Sequence, residues 1–423
     1  MKKKYYAEID ETLYESTLQN GLKLFVIPKP GFQKTYVTLT TKYGSLHTDF
    51  VPYGEDKLHH TPEGIAHFLE HKMFEKEAGD MFNMFSEQGA SVNAFTSYDR
   101  TSYLFTAVDH VEENIRLLLE MVQKPYFSAE SVQKEIGIIA EEIKMYQEQP
   151  NYRLYYQTLQ GMYHQHPVRQ DIAGTLNSIS EVTADTLYDC YYTFYRPENM
   201  VMFIVGHVDP EQITAFIEAH QFTAYTEQYQ PVLKEIDEPA SVKAHEVTSP
   251  SDVSRPKLML GIKSDCHHMN HPLIQTEFEM MFIMELLFGE QSDFYHELLN
   301  DGLIDDSFGY SFVLEPTFSH MLIAGTTNEP DKLKERLLNR LKETELDEKA
   351  FRRLVKQTTG EYIASFNSLE YIANQFTRYY FNGAILFDIV NVLDQINLED
   401  ALHTFRHAIN IDHVTDSRLL PNG

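Results

Sequence analysis

Tryptophan is absent and cysteine occurs only at Cys190 and Cys266, so no disulfide framework supports this chain. Basic residues are scarce: 35 Lys and Arg stand against 63 Asp and Glu, a formal net charge of −28 over 423 residues. That balance argues against nucleic acid as a partner, because phosphate binding needs concentrated Lys and Arg. No run approaches the roughly 18 apolar residues that cross a bilayer, so no membrane span is expected. No apolar stretch follows the opening Met1-Lys2-Lys3-Lys4 to form a signal peptide, and a reducing cytoplasm is the expected location. A Gly-rich phosphate loop and a basic-aromatic stripe are also missing.

What remains is the composition of a folded protein, 43% hydrophobic and 23% charged, too long for one ordinary domain. Strand-like alternation marks residues 21–28, 35–41, 90–96 and 101–106, and the apolar run 200–206 reads as a buried strand. Helical patterns cover 78–88, 111–122, 129–145 and 184–194. Thr61 and Pro62 suit the start of a further helix through His67 and His71. Prolines then accumulate at 231, 239, 250 and 256, after which strand and helix signals recur. The expected class is α+β, with two related domains, each an antiparallel sheet with helices packed on one face. The expected division is 1–228, a linker over 229–248, and 249–423.

Chemistry concentrates in His67-Phe68-Leu69-Glu70-His71. Residues four apart on a helix differ by about 40° in direction, so the two imidazoles point to one side and can grip one ion. Zinc takes imidazole and carboxylate ligands, and a catalytic site keeps one position open. Glu70 lies at the edge of the same face, placed to take a proton from a water activated there. A third ligand is required. The segment Glu135-Ile136-Gly137-Ile138-Ile139-Ala140-Glu141-Glu142 offers three carboxylates. Glu141 shares its helical face with Lys134, Lys144 and Glu148, a solvated stripe. Glu142 shares a mostly apolar face with Ile138, Ile139 and Met145, where a carboxylate needs a compensating charge. Glu142 is the better ligand, with Glu135 two turns away as a supporting or substrate-side carboxylate.

These residues resemble the zinc peptidases of the pitrilysin, insulinase and mitochondrial processing peptidase family, the inverted zincins. The matching pieces are Pro62-Glu63-Gly64 leading into the His67–His71 segment, then Asn93-Ala94-Phe95-Thr96, then Glu135 followed by Glu142. The resemblance implies His67, His71 and Glu142 as Zn2+ ligands, Glu70 as general base and Glu135 as a catalytic assistant. It also implies that the strand with Asn93, Ala94, Phe95 and Thr96 binds substrate, a peptide adding there as an extra strand. Small bacterial members carry two related domains and act as dimers. In the second half, relatives have an Arg and a Tyr where this chain has Leu299 and Asp305, with Tyr310 a few residues on. The resemblance therefore implies a heterodimer with a homologous subunit supplying the Arg/Tyr pair, or a homodimer.

The function that follows is a zinc metalloendopeptidase hydrolysing unstructured peptides. Its rival is a non-catalytic structural or binding subunit of a peptidase-like complex, which would be expected to lose part of the metal set. Other histidine-rich stretches, His59-His60, His164-Gln165-His166 and Cys266-His267-His268 through His271, read as exposed loops. Phe85 fits a substrate pocket and core packing equally.

Overall fold

The apolar runs of the first half become the middle of a seven-stranded sheet in the computed structural model, which describes residues 1–77, 79–221, 229–266, 272–342 and 345–422. Its strands are β1 (Lys2–Tyr6), β2 (Glu11–Thr17), β3 (Lys23–Pro28), β4 (Thr35–Thr41), β5 (Ser91–Thr96), β6 (Thr101–Ala107) and β7 (Met200–Gly206). They lie in the order β1-β2-β3-β7-β4-β6-β5. Every residue of β4 and β7 is buried, as two-sided coverage demands. All neighbours run antiparallel except β3 and β7.

Five strands form the second sheet: β8 (Glu246–Ser251), β9 (Lys257–Ser264), β10 (Gly309–Glu315), β11 (Phe318–Thr326) and β12 (Ile409–Pro421). Their order is β8-β12-β9-β11-β10, with β8 and β12 parallel and the rest antiparallel. The five strands from β3 to β7 follow the same scheme: first, fifth, second, fourth, third, with the parallel pair between first and fifth. One topology thus occurs twice, and each sheet departs from the expected antiparallel arrangement at a single pair.

The chain forms two units, residues 1–144, 170–235 and 365–381 in the first, and 145–169, 236–364 and 382–423 in the second. The sequence reading foresaw contiguous halves; the stretches 145–169 and 365–381 instead join the opposite unit. Each brings one helix. In the first unit, Leu24, Val26, Leu39 and Met202 share a core with α1 (Ile65–Lys72), α2 (Met81–Glu87) and α3 (Val111–Gln123). The alternate residues Phe25 and Phe203 point the other way and meet Phe376, at ring-centroid distances of 4.8 and 4.6 Å. Phe376 belongs to the helix Leu369–Phe381.

The second unit is built likewise, with the helix Pro150–Met162 on its sheet. Glycines set that approach: a Cβ at Gly261 would stand 2.6 Å from Thr158 Cγ2, and one at Gly161 2.7 Å from Thr415 Cγ2. Each sheet is therefore covered by helices on both faces, not one. Burial at every position, without alternation, as in β4 and β7, is the signature of that arrangement. No described helix is long and apolar enough to cross a membrane.

Candidate metal centre

Gly64, not Thr61 or Pro62, opens α1. It takes φ 88°, and a Cβ there would lie 2.5 Å from the carbonyl oxygen of Ala173. The hydroxyl of Thr61 instead donates to the carbonyl of Thr48 at 3.0 Å. Phe68 and Leu69 are fully buried and anchor the helix in the core. The rings of His67 and His71 are left side by side, with centroids 4.6 Å apart.

A fourth helix, α4 (Ala129–Gln147), brings the carboxylates. Oε2 of Glu142 lies 3.8 Å from Nε2 of His67 and 3.6 Å from Nε2 of His71. One donor atom from each of the three residues falls within 4.8 Å of the others. Glu141 points away, its side chain 75% exposed and paired with Lys144 at 2.6 Å. Glu135 reaches the far side of His71, where Oε1 stands 3.0 Å from Nδ1. A proton on Nδ1 satisfies that bond and leaves the Nε2 lone pair facing Glu142.

The electrostatics differ along the helix. Burial, and then the charge of His71, pushes His67 down to about 3, so its imidazole is neutral at ordinary pH. Its Nδ1 is buried without a hydrogen-bond partner among the described residues. For His71, burial opposes the charged form, but the bond to Glu135 and the charges of Glu70, Glu135 and Glu142 outweigh it, and the affinity for a proton rises. Glu70 is 9% exposed, and burial raises its carboxyl above the usual range, against the lowering effects of the Thr96 bond and His71.

Zinc fits this donor set. Two imidazole nitrogens and one carboxylate oxygen are the kinds of ligand the ion takes. The Glu142 distances of 3.6 and 3.8 Å are too long for hydrogen bonds, so the three groups converge without bonding one another. A cation could take all three as ligands.

Among the described residues, strand β5 is the outermost of its sheet, paired only with β6. Asn93 is exposed, Ala94, Phe95 and Thr96 are half-buried, and Arg100 lies 6.0 Å from the Phe95 ring. The hydroxyl of Thr96 donates to Oε2 of Glu70 at 2.7 Å. Nothing in the spacing of Glu70 and Thr96 reveals this bond, which depends on how α1 crosses the sheet. Phe85 resolves as core, fully buried with its ring 5.8 Å from that of Phe105.

In the second unit, Leu299 is 43% exposed and Asp305 pairs with Arg255. The hydroxyl of Tyr310 is engaged by Glu285. Nε2 of His59 and Nδ1 of His60 lie beside the carboxylates of Glu55 and Asp49, at 2.9 and 3.2 Å. His166 is buried with Nε2 3.2 Å from the Thr317 hydroxyl, so it is no exposed loop residue. Cys266 is buried too, and 267–271 lie outside the described residues.

The profile described as insulinase (peptidase family M16) matches residues 53–176, and one described as the peptidase M16 inactive domain matches 181–358. YmfH of Bacillus subtilis (strain 168), named an uncharacterized zinc protease, is 45% identical over 421 residues, covering 98% of either chain. An M16-like peptidase structure from Alicyclobacillus acidocaldarius superposes with a TM-score of 0.91 at 35% identity, over 99% of this chain and 100% of the other. A protease structure from Helicobacter pylori shares the fold with a TM-score of 0.82 at 20% identity, over 97% and 99%. Likeness of this extent, across both repeats and not only the histidine helix, places the chain in peptidase family M16, the insulinase family.

Proposed function

We propose that the chain is a zinc metalloendopeptidase acting on unstructured peptides, with His67, His71 and Glu142 as metal ligands and Glu70 as general base. The observation that carries this reading is the convergence of three zinc-type donor atoms within 4.8 Å, one residue from a buried carboxylate. When bound, zinc would polarise the scissile carbonyl and lower the pKa of a water in its open position.

The chain's own residues do the rest. Glu70 takes a proton from the attacking water and returns it to the leaving amine, a role its burial and raised proton affinity suit. Glu135 holds the tautomer of His71 through Nδ1. Backbone groups of Asn93, Ala94, Phe95 and Thr96 on the open side of β5 pair with an extended peptide, which orders it as an added strand. Leu299 and Asp305 provide no Arg/Tyr pair, which favours a heterodimer with a homologous subunit supplying it; a homodimer, which would work without that pair, is the alternative. The cytoplasm suits two buried free thiols.

The rival, a non-catalytic binding subunit, draws support from the inactive-domain description of residues 181–358. The complete metal set in the first unit favours the enzyme. The test is hydrolysis of a quenched unstructured peptide by the zinc-loaded chain, alone and with a homologous partner. Metal-dependent cleavage that Glu70→Gln abolishes is expected; zinc binding without cleavage in either setting would leave the binding subunit standing.

A further inference from the structure

Thr96 ends the edge strand β5, in register with Thr101 of β6. Strand addition by a peptide needs only its backbone. Its hydroxyl is committed elsewhere, to Oε2 of Glu70 at 2.7 Å. Among the described residues no other hydrogen bond to the Glu70 carboxylate is present, so one oxygen is held and Oε1 is left for a proton. The neighbouring Thr101 hydroxyl donates to the carbonyl of Tyr43 at 2.8 Å and stands 3.5 Å from Thr96 Oγ1. The Thr101 proton is thus directed away, and that of Thr96 goes to Glu70. A β-branched side chain has restricted χ1 freedom, which fixes the direction of the bond.

We infer that Thr96 is the positioning residue of Glu70, its hydroxyl holding one carboxylate oxygen so that the other is presented to the reacting water. The same residue ties the base to the strand that would carry the peptide, so peptide register and base orientation share one anchor. A hydroxyl that merely satisfied a buried carboxylate would serve stability; a positioning hydroxyl serves turnover.

The inference rests on the proposed function only in naming Glu70 the base. Its test uses full-length Thr96→Val and Thr96→Ser, zinc-loaded, with a quenched unstructured peptide, together with a crystal structure of each. Thr96→Val should keep its zinc and hold KM within about twofold while kcat falls at least about tenfold. Thr96→Ser, which restores the hydroxyl, should recover kcat to within about threefold of the parent. The Glu70 carboxylate should be displaced in the Val structure and in place in the Ser structure. Unchanged kcat in Thr96→Val, a loss confined to KM, or an unmoved Glu70 overturns the inference. If the parent chain cleaves no peptide with or without a partner, the peptidase reading fails separately, and the two structures still decide whether Thr96 positions Glu70.

Discussion

His71 has a carboxylate at each end of its ring: Nδ1 is hydrogen-bonded to Oε1 of Glu135 at 3.0 Å, while Nε2 faces Glu142 at 3.6 Å, beyond hydrogen-bond range. His67 has no such support, since its Nδ1 is buried without a partner among the described residues. The two histidines should therefore respond differently to loss of their surroundings. Glu135→Gln should weaken zinc binding about 10- to 100-fold by loosening the His71 ring, as removal of a ligand's outer hydrogen bond does elsewhere. Competition with a chromophoric chelator measures this, and parental affinity in the variant would show that Glu135 does not tune the ligand.

Adjacent glutamates give a sharper contrast. Glu142→Gln should abolish stoichiometric zinc retention, whereas Glu141→Gln, at an exposed position paired with Lys144, should bind like the parent. Glu70→Gln should retain the metal and lose about 10²- to 10⁴-fold in turnover. Metal analysis after dialysis, alongside peptide hydrolysis, separates the three; zinc loss in Glu141→Gln would misplace the ligand set.

Gly64 carries the geometry of the site without touching it. Its φ of 88° and the Ala173 carbonyl 2.5 Å from a hypothetical Cβ both resist a side chain. Gly64→Ala should cost about 1–3 kcal/mol and tilt the start of α1. A lowered melting temperature together with weaker zinc binding is the expected pair of results. An unshifted melting temperature would show that the turn relaxes freely.

Acid should weaken the second unit through His320, fully buried and pushed down to about 3 by burial and then by His166. In the unfolded chain the same ring takes its proton near pH 6.5. Between those values the unfolded state holds the extra proton, so stability is complete above about pH 6.5. It falls by up to about 1.4 kcal/mol per pH unit below. Denaturant midpoints of the parent should drop from pH 7 to pH 5 more steeply than those of His320→Asn. Parallel slopes would assign the acid sensitivity to other groups.

Much of this architecture was legible because burial and period coincide. Residues 35–41 read as a strand from their alternation and β-branched content, and 200–206 from an unbroken apolar run; both are strands buried at every position. That His67 and His71 share a face, and that Glu142 and not Glu141 turns toward them, followed from helical angles. Strand β12 gave no such signal. Its Asp416 is 1% exposed yet charged-looking in sequence, and only the structure shows Arg418 and Lys334 neutralising it from neighbouring positions. Strand β8 was hidden by Pro250, tolerated because β8 lies at a sheet edge. The start of α1 was misplaced by three residues because Pro62 matches a first-turn signal, while the constraint at Gly64 comes from Ala173, over a hundred positions away. Tertiary contacts of that kind leave no local trace.

The helix Leu369–Phe381, seated on Phe25 and Phe203 of the first unit, makes a single cut in the chain unable to yield two whole modules. A fragment ending near residue 235 would carry all three proposed metal ligands and yet show a bare aromatic sheet face to water, and its complement would be short of the helix Pro150–Met162. Neither repeat can be expressed alone without stripping its sister of a wall.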